Sequence, residues 1–273
     1  MARVEQRTGG EPAYPTWAFV LFSALVRALP VLVLLAGWEI LAQSGMLTPY
    51  QLPAFSRVLM RIWQDAVSGD LLINISLTLY RALLSFVICA IGGVAIGMAM
   101  SRSTIANWFF DPIVSVGFPM PKIAFLPVII LWLGVYDVSK ITMIVVDAIF
   151  PVIAATVIAI QGVERELIWS ARNMGASNRE LLTQVVLPAA FPQIMTGLQV
   201  ALPLTLIVAV VAEMLMGGYG LGGAMMTASR FANSPGVFAG IVEIAVIGYA
   251  LVKIMAMIRR RLLIWHQESA ERN

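Results

Sequence analysis

Three charged side chains stand inside long apolar stretches of this sequence, where a charge needs a specific reason. Lys122, Asp147 and Glu213 are the deepest of these residues. A charge in hydrocarbon costs about 3 kcal/mol or more and usually marks a transport path or a neutralised pair. Both interpretations stay open for Lys122 and Glu213, whereas the central position of Asp147 favours a path. We predict a translocation path along these three residues, Met120 and Met143; alternatively, Lys122 pairs with one carboxylate or reaches the interface.

The sequence lacks the motifs of an enzyme or a metal protein. Its one cysteine, Cys89, lies in an apolar stretch, and its one histidine, His266, lies in a polar segment. No disulfide, His-based catalyst or His/Cys metal site can be assembled from them. Neither Gly-x-x-x-x-Gly-Lys-Ser/Thr nor Gly-x-Ser-x-Gly occurs. We predict that the chain is not an enzyme and binds no cofactor, and that the Gly-rich run 217–223 is a flexible turn.

The composition requires a membrane protein. Apolar residues make up 60% of the chain and charged residues 12%, which soluble domains do not show. A membrane-spanning helix needs about 20 apolar residues. Six stretches meet this requirement, at about 20–43, 77–101, 111–134, 138–161, 188–215 and 236–258. The predicted fold class is an all-α polytopic membrane protein, and its net charge of +3 is too small to favour nucleic acid.

The basic residues set the orientation, because short cytoplasmic loops carry an excess of Lys and Arg. One side holds Arg3, Arg7, Arg27, Arg102, Arg165, Arg172, Arg179, Arg259, Arg260, Arg261 and Arg272, and the other holds Arg57, Arg61, Lys140 and Arg230, with Arg81 near a span entrance. Both termini are therefore predicted to be cytoplasmic. Residues 1–19 and 261–273 form the predicted tails of a transmembrane domain at 20–260.

An amphipathic helix is predicted between the first two spans, on the outer side. Its apolar stripe consists of Phe55, Val58, Leu59, Ile62, Trp63 and Ala66 within residues 53–67. A packing role is favoured over a binding role for this helix.

Residues 164–188 form the longest polar segment with a helical pattern between two apolar stretches. One helix face is predicted from Leu167, Ile168, Ala171 and Met174. Gly175 stands where a left-handed helix end belongs. Ser177 and Glu180 have capping-box spacing, so a second helix is expected at once. The face of that helix consists of Leu181, Leu182, Val185 and Val186, and Pro188 is expected to break it at the next span.

This segment resembles the cytoplasmic coupling motif of permease subunits of binding-protein-dependent ABC importers. The motif reads Glu-Ala-Ala, three residues, Gly, nine residues, Ile-x-Leu-Pro. Matching positions are Ala171, Gly175, Val185, Leu187 and Pro188, whereas Trp169 and Ser170 replace the Glu and the first Ala. Further motifs resemble the nitrate/taurine/sulfonate branch, among them Ser76-Leu77-x-x-x-Arg81, Pro121-Lys122-x-Ala124-x-x-Pro127, Leu131-Trp132-x-Gly134, Ala212-Glu213-Met214 and Gly220-Leu221-Gly222.

The resemblance implies a type I ABC importer permease fold in a bacterial inner membrane. Implied partners are a second permease copy, as a homodimer, two cytoplasmic ATPase subunits that bind ATP and Mg, and an external solute-binding protein. It places the ATPase contact at Glu166, Trp169, Ser170, Ala171, Arg172, Met174, Gly175 and Ala176. The substrate class is a small organic anion, with a sulfonate or taurine first and nitrate, an aromatic acid or a vitamin precursor as alternatives. A secondary transporter or channel is the rival class, although neither inverted repeats nor a pore motif is visible.

Overall fold

The structure is a computed structural model that describes residues 16–263, and these residues form helices and turns without a β-strand. The helices are α1 (Thr16–Gln43), α2 (Phe55–Ser68), α3 (Asp70–Arg102), α4 (Thr104–Gly117), α5 (Leu126–Leu133), α6 (Asp137–Gln161), α7 (Arg165–Asn173), α8 (Asn178–Glu180), α9 (Leu187–Met216), α10 (Leu221–Arg230) and α11 (Ser234–Leu262). The predicted all-α class is confirmed. Most of the predicted tails at 1–19 and 261–273, namely residues 1–15 and 264–273 with His266, lies outside the described residues.

Four of these helices are long and apolar enough to cross a membrane. They are α3, α6, α11 and the continuous run Asn178–Met216 that ends as α9. The described apolar part of α1, Leu29–Gln43, is shorter than a span needs. The total of six spans therefore stays a prediction.

The predicted span at 111–134 is broken rather than continuous. Helices α4 and α5, with a 3-10 turn at Lys122–Phe125, are bent by 96°. Pro119 and Pro121 lie in the break, and proline cannot donate the backbone hydrogen bond that a continuing helix needs. The expectation of a single helix here is corrected to a bent pair.

Helices α3, α6 and α9 form the centre of the molecule, and small residues allow their close approach. A Cβ on Gly93 would lie 2.8 Å from Val152, and one on Gly97 would lie 2.6 Å from Thr156. Gly197 of α9 lies against the side chain of Ala155 in the same way. Only glycine permits these contacts without displacing the neighbouring helix, so Gly93 and Gly97 are packing residues.

Helix α2 is amphipathic, as the sequence predicts, and only part of its apolar stripe contacts the protein. Val58 is fully buried, whereas Leu59 and Trp63 are exposed. Arg61 and Asp65 are turned partly inward and form an ion pair of 2.8 Å. The helix therefore presents an apolar surface outward and a charged pair toward the bundle.

Candidate functional site

The segment after α6 contains a helix end closed by two backbone hydrogen bonds around a left-handed glycine. Gly175 has φ +86°. Its N–H donates to Arg172 O at 2.9 Å, and the N–H of Ala176 donates to Ala171 O at 3.1 Å. These are the two bonds of a Schellman motif. The predicted role of Gly175 in ending α7 is confirmed.

The chain then starts its next helix through a complete capping box. The Glu180 N–H donates to Ser177 Oγ at 3.3 Å, and the Ser177 N–H donates to Glu180 Oε2 at 2.9 Å. Both predicted contacts are confirmed. This cap fixes the chain direction immediately after the turn at Gly175.

The second helix of the segment is not a separate element. A π-helical turn at Leu181–Val186 leads directly into α9. The expected break at Pro188 is wrong: proline is accommodated just inside α9, after the wider turn absorbs the backbone mismatch. Helix α7 is therefore connected to a membrane-crossing helix by one bend and a continuous helical rod.

The predicted coupling residues divide into a buried and an exposed set. Ala171 is 5% exposed and contacts the chain's own cluster around Leu181 and Val186. Its small side chain lets α7 lie close to the bundle, and its part in the ATPase contact stays a prediction. Ala176 is half-buried beside it, and the exposed members are Glu166, Trp169, Ser170, Arg172, Met174 and Gly175.

An apolar surface remains on the outside of α7. Trp169 is 58% exposed, Met174 79% and Leu167 45%. Of the four residues of the predicted helix face, Leu167 and Met174 are exposed, whereas Ile168 and Ala171 contact the bundle. Exposed apolar side chains of this size on a short polar helix are typical of a protein contact.

Lys122 and Asp147 meet at the break between α4 and α5. The Lys122 Nζ lies 3.5 Å from Asp147 Oδ1 and donates to Phe118 O at 3.0 Å. It also stands 5.1 Å from the centre of the Phe150 ring. The Lys122 side chain is 9% exposed and that of Asp147 is 20% exposed. The distance of 3.5 Å is long for a charge-assisted contact, and Asp147 is the more accessible member of the pair.

Glu213 is buried in an ion network, with no exposed surface. Arg81 Nη1 lies 2.6 Å from Glu213 Oε1 and also donates to Tyr219 O at 2.8 Å. Arg81 Nη2 lies 2.7 Å from Asp137 Oδ1. Glu213 is therefore held in a neutralised ion network, and its place on a translocation path stays a prediction. Met143, 1% exposed, is likewise in the core, whereas Met120 is 37% exposed.

The same network fixes the Gly-rich run after α9. Thr78 Oγ1 donates to Glu213 and accepts from the Leu221 N–H at 2.9 Å, and the Gly222 N–H donates to Glu213 Oε2 at 3.1 Å. Lys140 Nζ donates to Gly217 O at 2.7 Å. The expectation of a flexible turn is wrong, because buried charges hold the backbone of the loop.

Sequence reasoning missed Arg81 as the partner of Glu213 and Asp137 as the second carboxylate that contacts Arg81. The available signal was Arg81 itself, since an arginine near the entrance of an apolar span needs a carboxylate. Within residues 16–263, no cluster of three or more His, Cys, Asp or Glu residues is placed to hold a metal ion.

The sequence is similar to a family of membrane transport proteins. The family described as "Binding-protein-dependent transport system inner membrane component" matches residues 91–264. The chain is 30% identical to the taurine transport system permease protein TauC of Escherichia coli K12, over 92% of this chain and 94% of that protein. It is 32% identical to the putative aliphatic sulfonates transport permease protein SsuC of Bacillus subtilis 168, over 85% of this chain and 84% of that protein. It is 27% identical to the nitrate import permease protein NrtB of Leptolyngbya laminosa, over 88% of each.

Solved structures share the fold. An inward-facing MetNI methionine ABC transporter matches with a TM-score of 0.64 at 19% identity, over 72% of this chain and 98% of that chain. A bacterial ABC transporter involved in import of the polysaccharide alginate matches with a TM-score of 0.64 at 14% identity, over 90% and 95%. These confirm the predicted permease fold. By its family match and its 30% identity to a permease across nearly its whole length, the chain belongs to the inner membrane components of binding-protein-dependent transport systems.

Proposed function

We propose that this chain is the membrane subunit of an ATP-driven importer for a small organic anion, with a sulfonate or taurine as first choice. It works as a homodimer in a bacterial inner membrane, with two ATPase subunits on the cytoplasmic side and a solute-binding protein outside. The identity to permeases of taurine and aliphatic sulfonate systems supports this substrate class. The relative named for nitrate import supports a second candidate, nitrate.

The observation that carries the proposal is the exposed apolar surface of α7. Trp169, Met174 and Leu167 face away from the bundle, and Ala171 holds the helix against it. A partner covering these side chains gains the free energy of burying apolar area, about 25 cal/mol per Å². We infer that the ATPase subunit docks here, with Trp169 in place of the acidic residue of the motif.

The connection of α7 to α9 supports a role in transmitting movement. Gly175 forms the one bend, Ser177 and Glu180 cap the next turn, and the helix then runs without a gap to Met216. A capped rod transfers displacement over its length, because its backbone hydrogen bonds resist bending. ATP binding in the partner would move α7, and α9 would carry that movement to the outer end of the bundle.

Gly175→Val tests this coupling, and the chain offers a matched control. Gly175 and Gly69 both have φ +86° with nothing within 4 Å of an added Cβ, so valine causes the same backbone strain at either site. Gly69 lies between α2 and α3, far from α7 along the chain. We expect Gly175→Val to abolish coupled transport and Gly69→Val to retain it. Normal assembly and transport by Gly175→Val would disprove the docking assignment.

Trp169→Ala tests the surface itself. Trp169 is exposed, so its removal leaves the core intact while the partner loses an anchor of the kind that dominates protein interfaces. We expect at least tenfold weaker co-purification with the cognate ATPase. Failure of the wild-type chain to retain any ATPase would instead favour a secondary transporter or channel.

We further infer that Lys122, Asp147 and Met120 lie along the translocation path. The partial exposure of Asp147 and Met120 at the broken helix supports this placement, and the cation of Lys122 suits an anionic substrate. Lys122→Gln and Asp147→Asn are each expected to lower transport at least tenfold, with Lys253→Gln on α11 as the control. Full substrate-stimulated transport in both variants would leave the pair a purely structural one.

A further inference from the structure

A second polar site lies away from both α7 and the Lys122–Asp147 pair. A cavity of about 500 Å³ is bounded by α2, the start of α3, α10 and α11, at the end of the bundle opposite α7. Its polar walls include Arg61, Asp65, Asp70, Asn74, Asn233 and Glu243. A volume of this order fits a small molecule or a lipid headgroup.

The cavity is lined by three carboxylates and one arginine. Arg61 is held by Asp65 through two contacts, Nε to Oδ2 at 2.9 Å and Nη2 to Oδ1 at 2.8 Å. Asp70 accepts from Ser68 Oγ at 2.9 Å. Glu243 therefore contributes a carboxylate that the one arginine of the cavity does not contact. The cavity favours a cationic group on that side.

Glu243 also has an unsatisfied atom. Its Oε1 is buried and has no hydrogen-bond partner among the described residues. A buried carboxylate oxygen without a donor is costly, and such a group in a membrane-crossing helix usually has a functional reason. Glu243 also lines the cavity, so a ligand there that supplies N–H or O–H donors would compensate its carboxylate.

The chemistry of that partner can be narrowed. The described carboxylates do not form a cluster able to hold a metal ion. A primary ammonium needs no such ligand set, carries the compensating charge and offers three donors. Arg61 has five N–H donors and spends two on Asp65, so it can also hold an anionic group. A zwitterion could place its ammonium at Glu243 and its anionic group at Arg61.

We propose that this cavity binds a zwitterion, with its primary ammonium at Glu243 and its sulfonate or phosphate at Arg61. Two sources share this chemistry. One is free 2-aminoethanesulfonate, taurine, approaching from outside. The other is the ethanolamine headgroup of a phospholipid, which the exposed Leu59, Met60, Trp63 and Val67 of α2 would bring to the cavity at the membrane interface.

The test uses the full chain in phosphatidylglycerol nanodiscs without ATP, so its result is independent of the proposed transport function. In one arm, taurine is titrated by calorimetry against isethionate, which replaces the ammonium with a hydroxyl. In the other, phosphatidylethanolamine retained on the chain is measured by native mass spectrometry against phosphatidylcholine, whose quaternary ammonium has no N–H. We expect a preference of at least tenfold for the primary ammonium in one arm or both. The arm that responds identifies the source.

Variants assign the preference to the cavity. Glu243→Gln keeps the shape and removes the charge, and Thr227→Trp fills the cavity from an exposed position of α10. Each should reduce the preferred binding at least tenfold, whereas Glu164→Gln, which changes an exposed carboxylate outside the cavity, should not change it. Equal binding of ammonium and control ligands in both arms overturns the proposal, as does unchanged binding in folded Thr227→Trp or Glu243→Gln.

Discussion

Removing Arg81 should destabilise the protein more than removing any exposed arginine, because Glu213 would be left charged and buried. Glu213 has no exposed surface, and Arg81 supplies the opposite charge at 2.6 Å. Breaking a buried pair by deleting one partner costs about 3–5 kcal/mol. The Tyr219 carbonyl would also lose its contact with Arg81, which adds about 1 kcal/mol.

Two features of the site keep this value from being larger. Thr78 Oγ1 and the Gly222 N–H still donate to Glu213 after Arg81 is gone. Asp137, the second carboxylate on Arg81, is 47% exposed and returns to water, so it contributes about 1 kcal/mol or less. We therefore expect Arg81→Met to cost about 3–5 kcal/mol in total.

The diagnostic result is the effect of Glu213→Gln on the free energy of unfolding. It should lower this free energy when Arg81 is present and raise it when Arg81 has been replaced by methionine. In Arg81→Met/Glu213→Gln no unpaired buried charge remains. The double variant loses only hydrogen bonds of neutral groups, which should cost about 1–3 kcal/mol of stability relative to wild type. The double variant should therefore be more stable than Arg81→Met alone. Addition of the two single effects would instead predict a less stable protein.

The four proteins of this comparison are the wild type, Arg81→Met, Glu213→Gln and the double variant. Their free energies of unfolding can be measured in mixed micelles by titration with denaturing detergent. Arg61→Met is the matched control, since it breaks an Arg–Asp pair whose side chains are 40% and 21% exposed. That control should cost about 1 kcal/mol or less. Equal losses in Arg81→Met and Arg61→Met, or additive effects in the double variant, would refute a charged buried pair.

Three further outcomes follow from local geometry. Gly97→Leu should separate α3 from α6, because even a Cβ would lie 2.6 Å from Thr156, and cysteine cross-linking between the helices should fall. Gly222→Ala should displace the loop after α9, since the added methyl collides with a backbone carbonyl; proteolysis at residues 217–220 should increase, and unchanged resistance would contradict the fixed loop. Ser177→Ala should lower stability by about 1 kcal/mol by removing the cap shared with Glu180, measurable as a reduced unfolding midpoint.

Local signals predicted the coupling segment well because its geometry depends on near neighbours. The positive φ of Gly175 and the Ser177–Glu180 capping box involve residues within a few positions of each other. The helical continuity through Pro188 was mispredicted, because a π-turn has no distinct sequence signature. The sequence also could not say which members of the α7 face contact the bundle, since that depends on where the other helices lie.

The pairing of the charged residues, by contrast, could not be predicted from the sequence. The sequence marked Lys122, Asp147 and Glu213 as unusual, and it could not say which would meet. Lys122 and Asp147 are brought together by the bend of α4 against α5, and Glu213 meets Arg81 across more than a hundred residues of sequence. Long-range pairing depends on helix packing, so the complete burial of Glu213 could not be predicted from its sequence neighbours.

The sequence by itself determined that this is an all-helical membrane protein, with a capped polar segment between two of its spans, because composition, periodicity and capping act locally. The tertiary structure decided which charges are neutralised, which apolar residues of α7 remain exposed and where the cavity at Glu243 lies. Those properties arise only when helices distant in sequence pack together, since burial and ion pairing depend on what lies opposite each side chain.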